Sequence, residues 1–169
     1  IEQGDAESDG AVQRVDGRRL VARRAVGMAH AHATEAEGGN AERAELFRAS
    51  KRCLGDSMWV IGGCTAYTAR EVIVHARAAE AAGLDGILVT PPPYIVPNAR
   101  EIVQFYQDIS DATNIPLCVY NWPRGTGVDL RLDVLSEIVQ IENVVAVKDS
   151  TGDLPSFLRS QYALHPHVR

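Results

Sequence analysis

Four short apolar runs constrain this chain more than any other feature. They centre on Ile61, Leu88, Cys118 and Ala146, at intervals of 27, 30 and 28 residues. One strand, one loop and one crossover helix take roughly 30 residues, so these are the intervals of repeating βα units. The runs "MWVIGG", "GILVTPPPY", "IPLCVYNWP" and "NVVAVKDSTGD" lack a polar alternate face, as strands of a parallel sheet covered by helices require. Helix patterns alternate with them. Asn40 can cap a helix that carries Leu46, Phe47 and Leu54 and stops at Gly55. Thr68 can cap a second, with Val72, Ile73, Ala76, Ala79 and Ala82 inward. Asn98 and Glu101 form a capping box ahead of Ile102, Val103, Tyr106 and Ile109. Leu132, Leu135, Ile138 and Val139 share one side of a further helix, and Leu154 to Leu164 begins another, with Pro155 tolerated in its first turn. The fold class is therefore α/β. Four βα units alone do not separate a barrel from an open doubly wound sheet.

Residues 1–38 read differently. Arginine, alanine, glycine and acidic residues mix there without a sustained apolar period, and no strand stands out. Such composition offers little burial against ordering entropy, so this stretch is expected to be a poorly ordered leader or at most one loose helix. Residues 39–169 form the α/β domain. A chain that starts at Ile1 rather than Met reads as a fragment or a processed product. The net charge of −5 gives no basic surface to attract nucleic acid, and no apolar run approaches a membrane span. Cys53, Cys64 and Cys118 have no ligand spacing, so a reduced, cytoplasmic protein is expected. The pairs His30/His32 and His165/His167 lack a strand pattern and a third ligand, and they are read as solvated surface rather than a metal site.

In a parallel α/β protein the chemistry lies at the carboxyl ends of the strands. Lys148 ends "VVAVK". Strict alternation puts it on one face with Val144 and Ala146. Apolar neighbours penalise an ammonium, and a neutral amine is what attacks a ketone to make an imine. The alternative is a lysine whose head snorkels from the strand end into water. Tyr120 ends "PLCVY", where a phenol can relay a proton to and from a substrate; the alternative is a core tyrosine with a satisfied hydroxyl. Adjacent parallel strands lie about 4.8 Å apart, so both heads can reach one small molecule. "VTPPPYIVP" makes a rigid, donor-poor loop that either walls a pocket or is only a stiff turn. "GGCTAYTA" lacks phosphate-loop spacing and is assigned no nucleotide, and Cys64 within it reads as a small buried residue.

Two segments carry a resemblance. "VYNWPRGTGVDL" followed by "VVAVKDSTGD" resembles the YN-x-P and IK-[ED]-x-[ST]-G-D segments of the dihydrodipicolinate synthase / N-acetylneuraminate lyase family, with Tyr120 and Lys148 separated by 28 residues. "AAGLDGILVTPPPY" is similar to the family's A-G-A-D-[GA]-x-x-V-x-[TP]-P-x-Y stretch. "WVIGGCTAYTAREVIVHARAAEAAG" and "AERAELF" are similar to its third strand and the surrounding helices. The resemblance covers about residues 39 to 154. It implies a (β/α)₈ barrel of TIM type, of which this chain supplies strands three to six. It implies a lyase or aldolase that joins an α-keto acid, typically pyruvate, to a partner, or cleaves it from one, through a lysine Schiff base. Some members dehydrate sugar acids. No metal or organic cofactor takes part, and the assembly is a homo-oligomer. Lys148 then forms the imine and Tyr120 handles the proton. Tyr94 takes the place of a tyrosine that often reaches an active site across a dimer contact. Thr65 and Arg124 are further candidates for substrate binding or relay.

Three departures qualify what the resemblance implies. The family's G-[TN]-x-G-E segment, which completes the relay and holds a substrate carboxylate, has no counterpart where this chain reads "HAHATEAEGG". Family synthases carry arginine two residues after the proline of YN-x-P; here Arg124 follows Pro123 directly and Gly125 is second, which argues against aspartate semialdehyde as partner. Strands one, two, seven and eight have no recognisable counterpart, and residues 1–38 read as a foreign or frame-shifted leader joined near residue 39. A truncated, inactive remnant is the rival reading. A lysine-imine aldolase of the deoxyribose-phosphate type is a third, against which the YN-x-P segment argues.

Overall fold

A computed structural model describes residues 26–29 and 38–164. The four expected apolar runs become strands β2 (Trp59–Gly63), β3 (Gly86–Val89), β4 (Leu117–Asn121) and β5 (Val144–Asp149). A fifth strand, β1 (Val26–Ala29), lies in the stretch read as leader, where no strand was expected. Four residues are too few to show a period. What makes them a strand is parallel pairing with β2, Val26 opposite Trp59 through Ala29 opposite Gly62. The remainder of residues 1–37, with His30 and His32, and the pair His165/His167 lie outside the described residues.

All pairings are parallel, and the strand order is β1-β2-β3-β4-β5. A doubly wound sheet reverses its order at a switch point. This sheet does not, so successive right-handed crossovers put the helices that link its strands on one side. The helices are α1 (Gly38–Leu54), α2 (Ala69–Ala81), α3 (Ala99–Ala112), a short α4 (Pro123–Thr126), α5 (Leu132–Ile138) and α6 (Leu154–Leu164). The described residues are thus part of a barrel of the (β/α)₈ type, with five strands of the eight that a full barrel contains.

The core lies between sheet and helices. Val60, Ile87, Val89, Leu117, Val119 and Val144 face it from the strands, against Phe47, Val72, Ile109 and Leu135 from the helices. Gly62 lets α1 approach: a Cβ there would stand 2.8 Å from Leu84 and 3.0 Å from the Phe47 ring. The capping box at Asn98/Glu101 forms as expected, Thr68 caps α2 as expected and makes a second box with Glu71, and Gly55 and Gly83 take positive φ where α1 and α2 end. Asn40 does not cap α1. It sits inside the first turn, where its Oδ1 accepts from His75 Nε2 at 2.9 Å.

His75 is the polar residue that the apolar pattern of α2 conceals. It is buried beside Val72, Ala76 and Ala79, and its Nδ1 lies 3.5 Å from the Cys64 carbonyl. Burial lowers its pKa below the ordinary 6.5, and the Arg43 charge lowers it further. The Cys64 carbonyl and Glu71 act in the opposite direction. The folded protein thus holds His75 neutral where the unfolded chain protonates it. Below about pH 6.5 the unfolded state binds more protons, so stability falls as pH drops. Thermal melts at pH 7.5 and 5 are expected to differ more for the wild type than for His75→Gln. Equal losses in the two would place the acid sensitivity elsewhere.

Candidate active site

Tyr120 and Lys148 are register partners at the ends of β4 and β5. In a parallel pair, partners point to the same face. Both lie on the side away from the helices, half-buried, and Lys148 Nζ sits over the Tyr120 ring, 4.0 Å from its centroid. The row beneath them is Cys118 and Ala146. Val144 does not share this face, contrary to strict alternation. The register slips between Leu117 and Cys118, where Leu117 pairs with Val144 but Cys118 pairs with Ala146. Val145 is the extra residue of a bulge, and Val144 turns with Leu117 into the core.

Burial pushes the Cys118 thiol up to about 11, against a backbone hydrogen bond and the charge of Lys148, which pull it down. Burial likewise pushes Cys64 up to about 12. Both stay protonated near neutrality, which makes them poor rivals to an amine as nucleophile. Cys64 is fully buried, as its reading as a small core residue requires.

Thr65 is tied to Thr90. Its Oγ1 accepts from the Thr90 backbone N–H at 3.1 Å and from the Thr90 hydroxyl at 3.3 Å. Thr90 follows Val89, which pairs with Val119, so it extends the row of Tyr120 and Lys148 onto the next strand. Arg124 is exposed on α4. Tyr94 is 90% exposed and has φ of 68°, a conformation rare for a side chain of its size. Its backbone N–H donates to the Thr126 carbonyl at 3.2 Å, which ties the proline-rich loop to α4. The structure therefore brings Lys148 and Tyr120 together, with Thr90 one strand beyond after β3 and Thr65 two strands beyond after β2. It leaves Tyr94 and Arg124 at the rim.

Two neighbours escaped the sequence reading. Trp122 stacks on Tyr120, with centroids 5.8 Å apart and planes within 5°. Asn121 is buried and clasps the far end of the same loop. Its Oδ1 accepts from Leu130 N–H at 3.0 Å and its Nδ2 donates to Leu130 O at 3.2 Å. The available signal was their position inside "YNWP".

Among the described residues, no helix is long and apolar enough to cross a membrane. No group of three or more His, Cys, Asp or Glu residues there is placed to hold a metal ion.

Fold and site together define a barrel-type α/β protein with a lysine-tyrosine pair at the carboxyl ends of adjacent strands. The chain belongs to the dihydrodipicolinate synthetase family, whose sequence model matches residues 36–168. It is 35% identical over 116 residues to a 4-hydroxy-tetrahydrodipicolinate synthase of Corynebacterium jeikeium, covering 69% of this chain and 39% of that one. It is 34% identical over 113 residues to the Moorella thermoacetica enzyme, covering 67% and 39%. Among solved structures, the chloride-inhibited dihydrodipicolinate synthase of Acinetobacter baumannii complexed with pyruvate superposes with a TM-score of 0.74 at 32% identity, covering 76% of this chain and 44% of that one. A prophage protein of the same family from E. coli K12, in complex with pyruvate, superposes with a TM-score of 0.71 at 25% identity, covering 76% and 45%. The chain spans about two fifths of the length of the curated relatives it matches.

Proposed function

We propose that the chain carries the reacting centre of a Schiff-base lyase or aldolase acting on an α-keto acid such as pyruvate. The observation that supports this most is the register pairing of Tyr120 with Lys148, with Nζ over the phenol ring. The Lys148 amine attacks the keto carbon and water leaves, giving an iminium that draws electrons from the adjacent carbon. Loss of a proton there yields an enamine. The enamine carbon attacks an aldehyde, or the reverse sequence cleaves a keto acid; a keto-deoxy sugar acid would lose water from the same intermediate. The Tyr120 hydroxyl moves the proton. The Thr65–Thr90 hydroxyl pair supplies the next donors along the row, and Arg124 is the rim cation for a carboxylate. No organic cofactor or metal enters this scheme.

The test is borohydride trapping with pyruvate, with the adduct located by mass spectrometry. Capture on Lys148 is the expected result. No adduct at any residue would favour the reading of an inactive chain, in line with the missing G-[TN]-x-G-E segment.

The reading includes a homo-oligomer in a reducing, cytoplasmic setting, with Tyr94 reaching a neighbouring copy. Ile61 and Trp59 are only partly covered on the inner face, and β1 and β5 each have one neighbour among the described residues. Unpaired strand edges and apolar surface drive association. A polypeptide of this 169-residue sequence is expected to self-associate in size-exclusion chromatography with light scattering and to turn over slowly. A monodisperse monomer with an ordinary turnover of about 1–10³ s⁻¹ would contradict this.

A further inference from the structure

We infer that Trp122 is a positioning residue for the proposed reaction: its indole fixes the Tyr120 ring, and with it the hydroxyl that moves the proton. The role rests on the imine reading and adds what aims its proton carrier. No group among the described residues hydrogen-bonds the Tyr120 hydroxyl, so contacts of the ring must place it. Two such contacts stand out. Lys148 Nζ lies 4.0 Å from the ring centroid, and the Trp122 indole lies parallel to the ring, with centroids 5.8 Å apart and planes within 5°. The first is the attraction of an ammonium for a ring face. It ends when the nitrogen attacks a keto carbon, because the amine is then bound to substrate. The second is an offset stack, favourable at this separation, and it involves no reacting atom. The indole contact therefore persists through the whole cycle.

An indole can hold a neighbour only if it is itself held, and the α4 turn does this at both ends of the residue. The Trp122 carbonyl accepts from Gly125 N–H at 3.0 Å, from Thr126 N–H at 3.1 Å and from the Thr126 hydroxyl at 3.1 Å. Thr126 is buried, and its hydroxyl oxygen also accepts from Val128 N–H at 3.2 Å. Asn121 closes the same loop onto Leu130. At the side chain, Gly125 packs against the six-membered ring, where a Cβ would fall onto Cζ3, Cε3 and Cη2. Gly125 is not among the glycines with positive φ, so the turn's backbone would admit alanine. The indole is what excludes a side chain there. The turn is thus shaped around the indole, and the indole lies along the phenol.

The test separates imine formation from proton movement. Trp122→Ala is expected to lower kcat for deuterium exchange from solvent into pyruvate by about tenfold, with KM and the yield of borohydride capture within about twofold of wild type. Trp122→Phe keeps a ring to stack and should recover most of the rate. Gly125→Ala removes no aromatic ring but displaces the indole, so it should slow exchange as Trp122→Ala does. In a Tyr120→Phe background the hydroxyl is already gone, and adding Trp122→Ala should cost no more than about twofold. The ring itself is read by NMR of protein labelled at tyrosine, with Tyr120→Phe identifying the Tyr120 signals among the five tyrosines. Those signals should be displaced by the indole in the wild type and move toward free-tyrosine positions in Trp122→Ala. Equal exchange rates in wild type and Trp122→Ala would overturn the inference, as would a full tenfold loss in the Tyr120→Phe background or Tyr120 signals indifferent to Trp122→Ala. A wild type that captures no pyruvate counts against the imine reading alone, because the NMR comparison still decides whether the indole fixes the phenol.

Discussion

Lys148→Arg is expected to abolish reductive capture of pyruvate, lowering the yield by roughly 10³-fold or more, since it removes the nucleophile outright. Arginine keeps the charge and much of the length, so the contact with Tyr120 has a substitute, but a guanidinium forms no imine under these conditions. The chain makes the experiment clean because it has only two lysines. The other, Lys51, is engaged by Asp85 at 3.1 Å and Asp56 at 3.6 Å. Asp85 precedes β3 and accepts from the backbone N–H of Val60, so Lys51 stands at the amino end of the sheet, away from the proposed site. Mass spectrometry of the trapped wild type should therefore find the label on Lys148 and leave Lys51 unmodified. Label that persists in Lys148→Arg, on Lys51 or the terminal amine, would remove Lys148 from the reaction.

Tyr120→Phe should leave imine formation intact yet slow proton transfer at the methyl group of bound pyruvate by roughly 10²-fold or more. Phenylalanine keeps the ring that stacks on Trp122 and lies beneath Lys148, so only the hydroxyl is lost. Deuterium exchange from solvent into pyruvate measures the step without requiring an aldehyde. Borohydride capture at wild-type yield, together with slowed exchange, separates a proton-handling role from a packing role. Exchange at the wild-type rate would show that the phenol takes no part.

How much of this could be read from the sequence depended on the range of the interaction. The βα period, the Thr68 cap and the Asn98/Glu101 capping box are local, and they stood out clearly. So did the placement of Tyr120 and Lys148 at neighbouring strand ends, because strand spacing and the carboxyl-end rule need only the order of elements. What was lost depends on distant partners. Val26–Ala29 is a strand because β2 lies beside it. Asn40 leaves its capping role because His75, 35 residues away, reaches its side chain. His75 itself sits on the core face of α2 as though it were apolar. Trp122 is set by the turn that follows it, whose shape depends on Gly125 and on Asn121 gripping Leu130. Barrel and doubly wound sheet were indistinguishable until strand order was known.

The bulge at Val145 has a consequence for anyone moving this site to another scaffold. Beyond the slip, every pair from Cys118–Ala146 to Asn121–Asp149 is offset by 28 residues, whereas Leu117–Val144 is offset by 27. Were the ladder to run on at 27 with Val145 retained, Val147 would stand beside Tyr120 and Lys148 would pair with Asn121 on the helix side, whereas removing Val145 would leave a regular ladder with Lys148 still opposite Tyr120. The face that Lys148 takes is therefore fixed by the bulge and the residue count of β5 together. Loops elsewhere in the crossover can gain or lose residues freely, but a graft of β5 must either keep the bulge or drop Val145 if its lysine is to stay on the inner face.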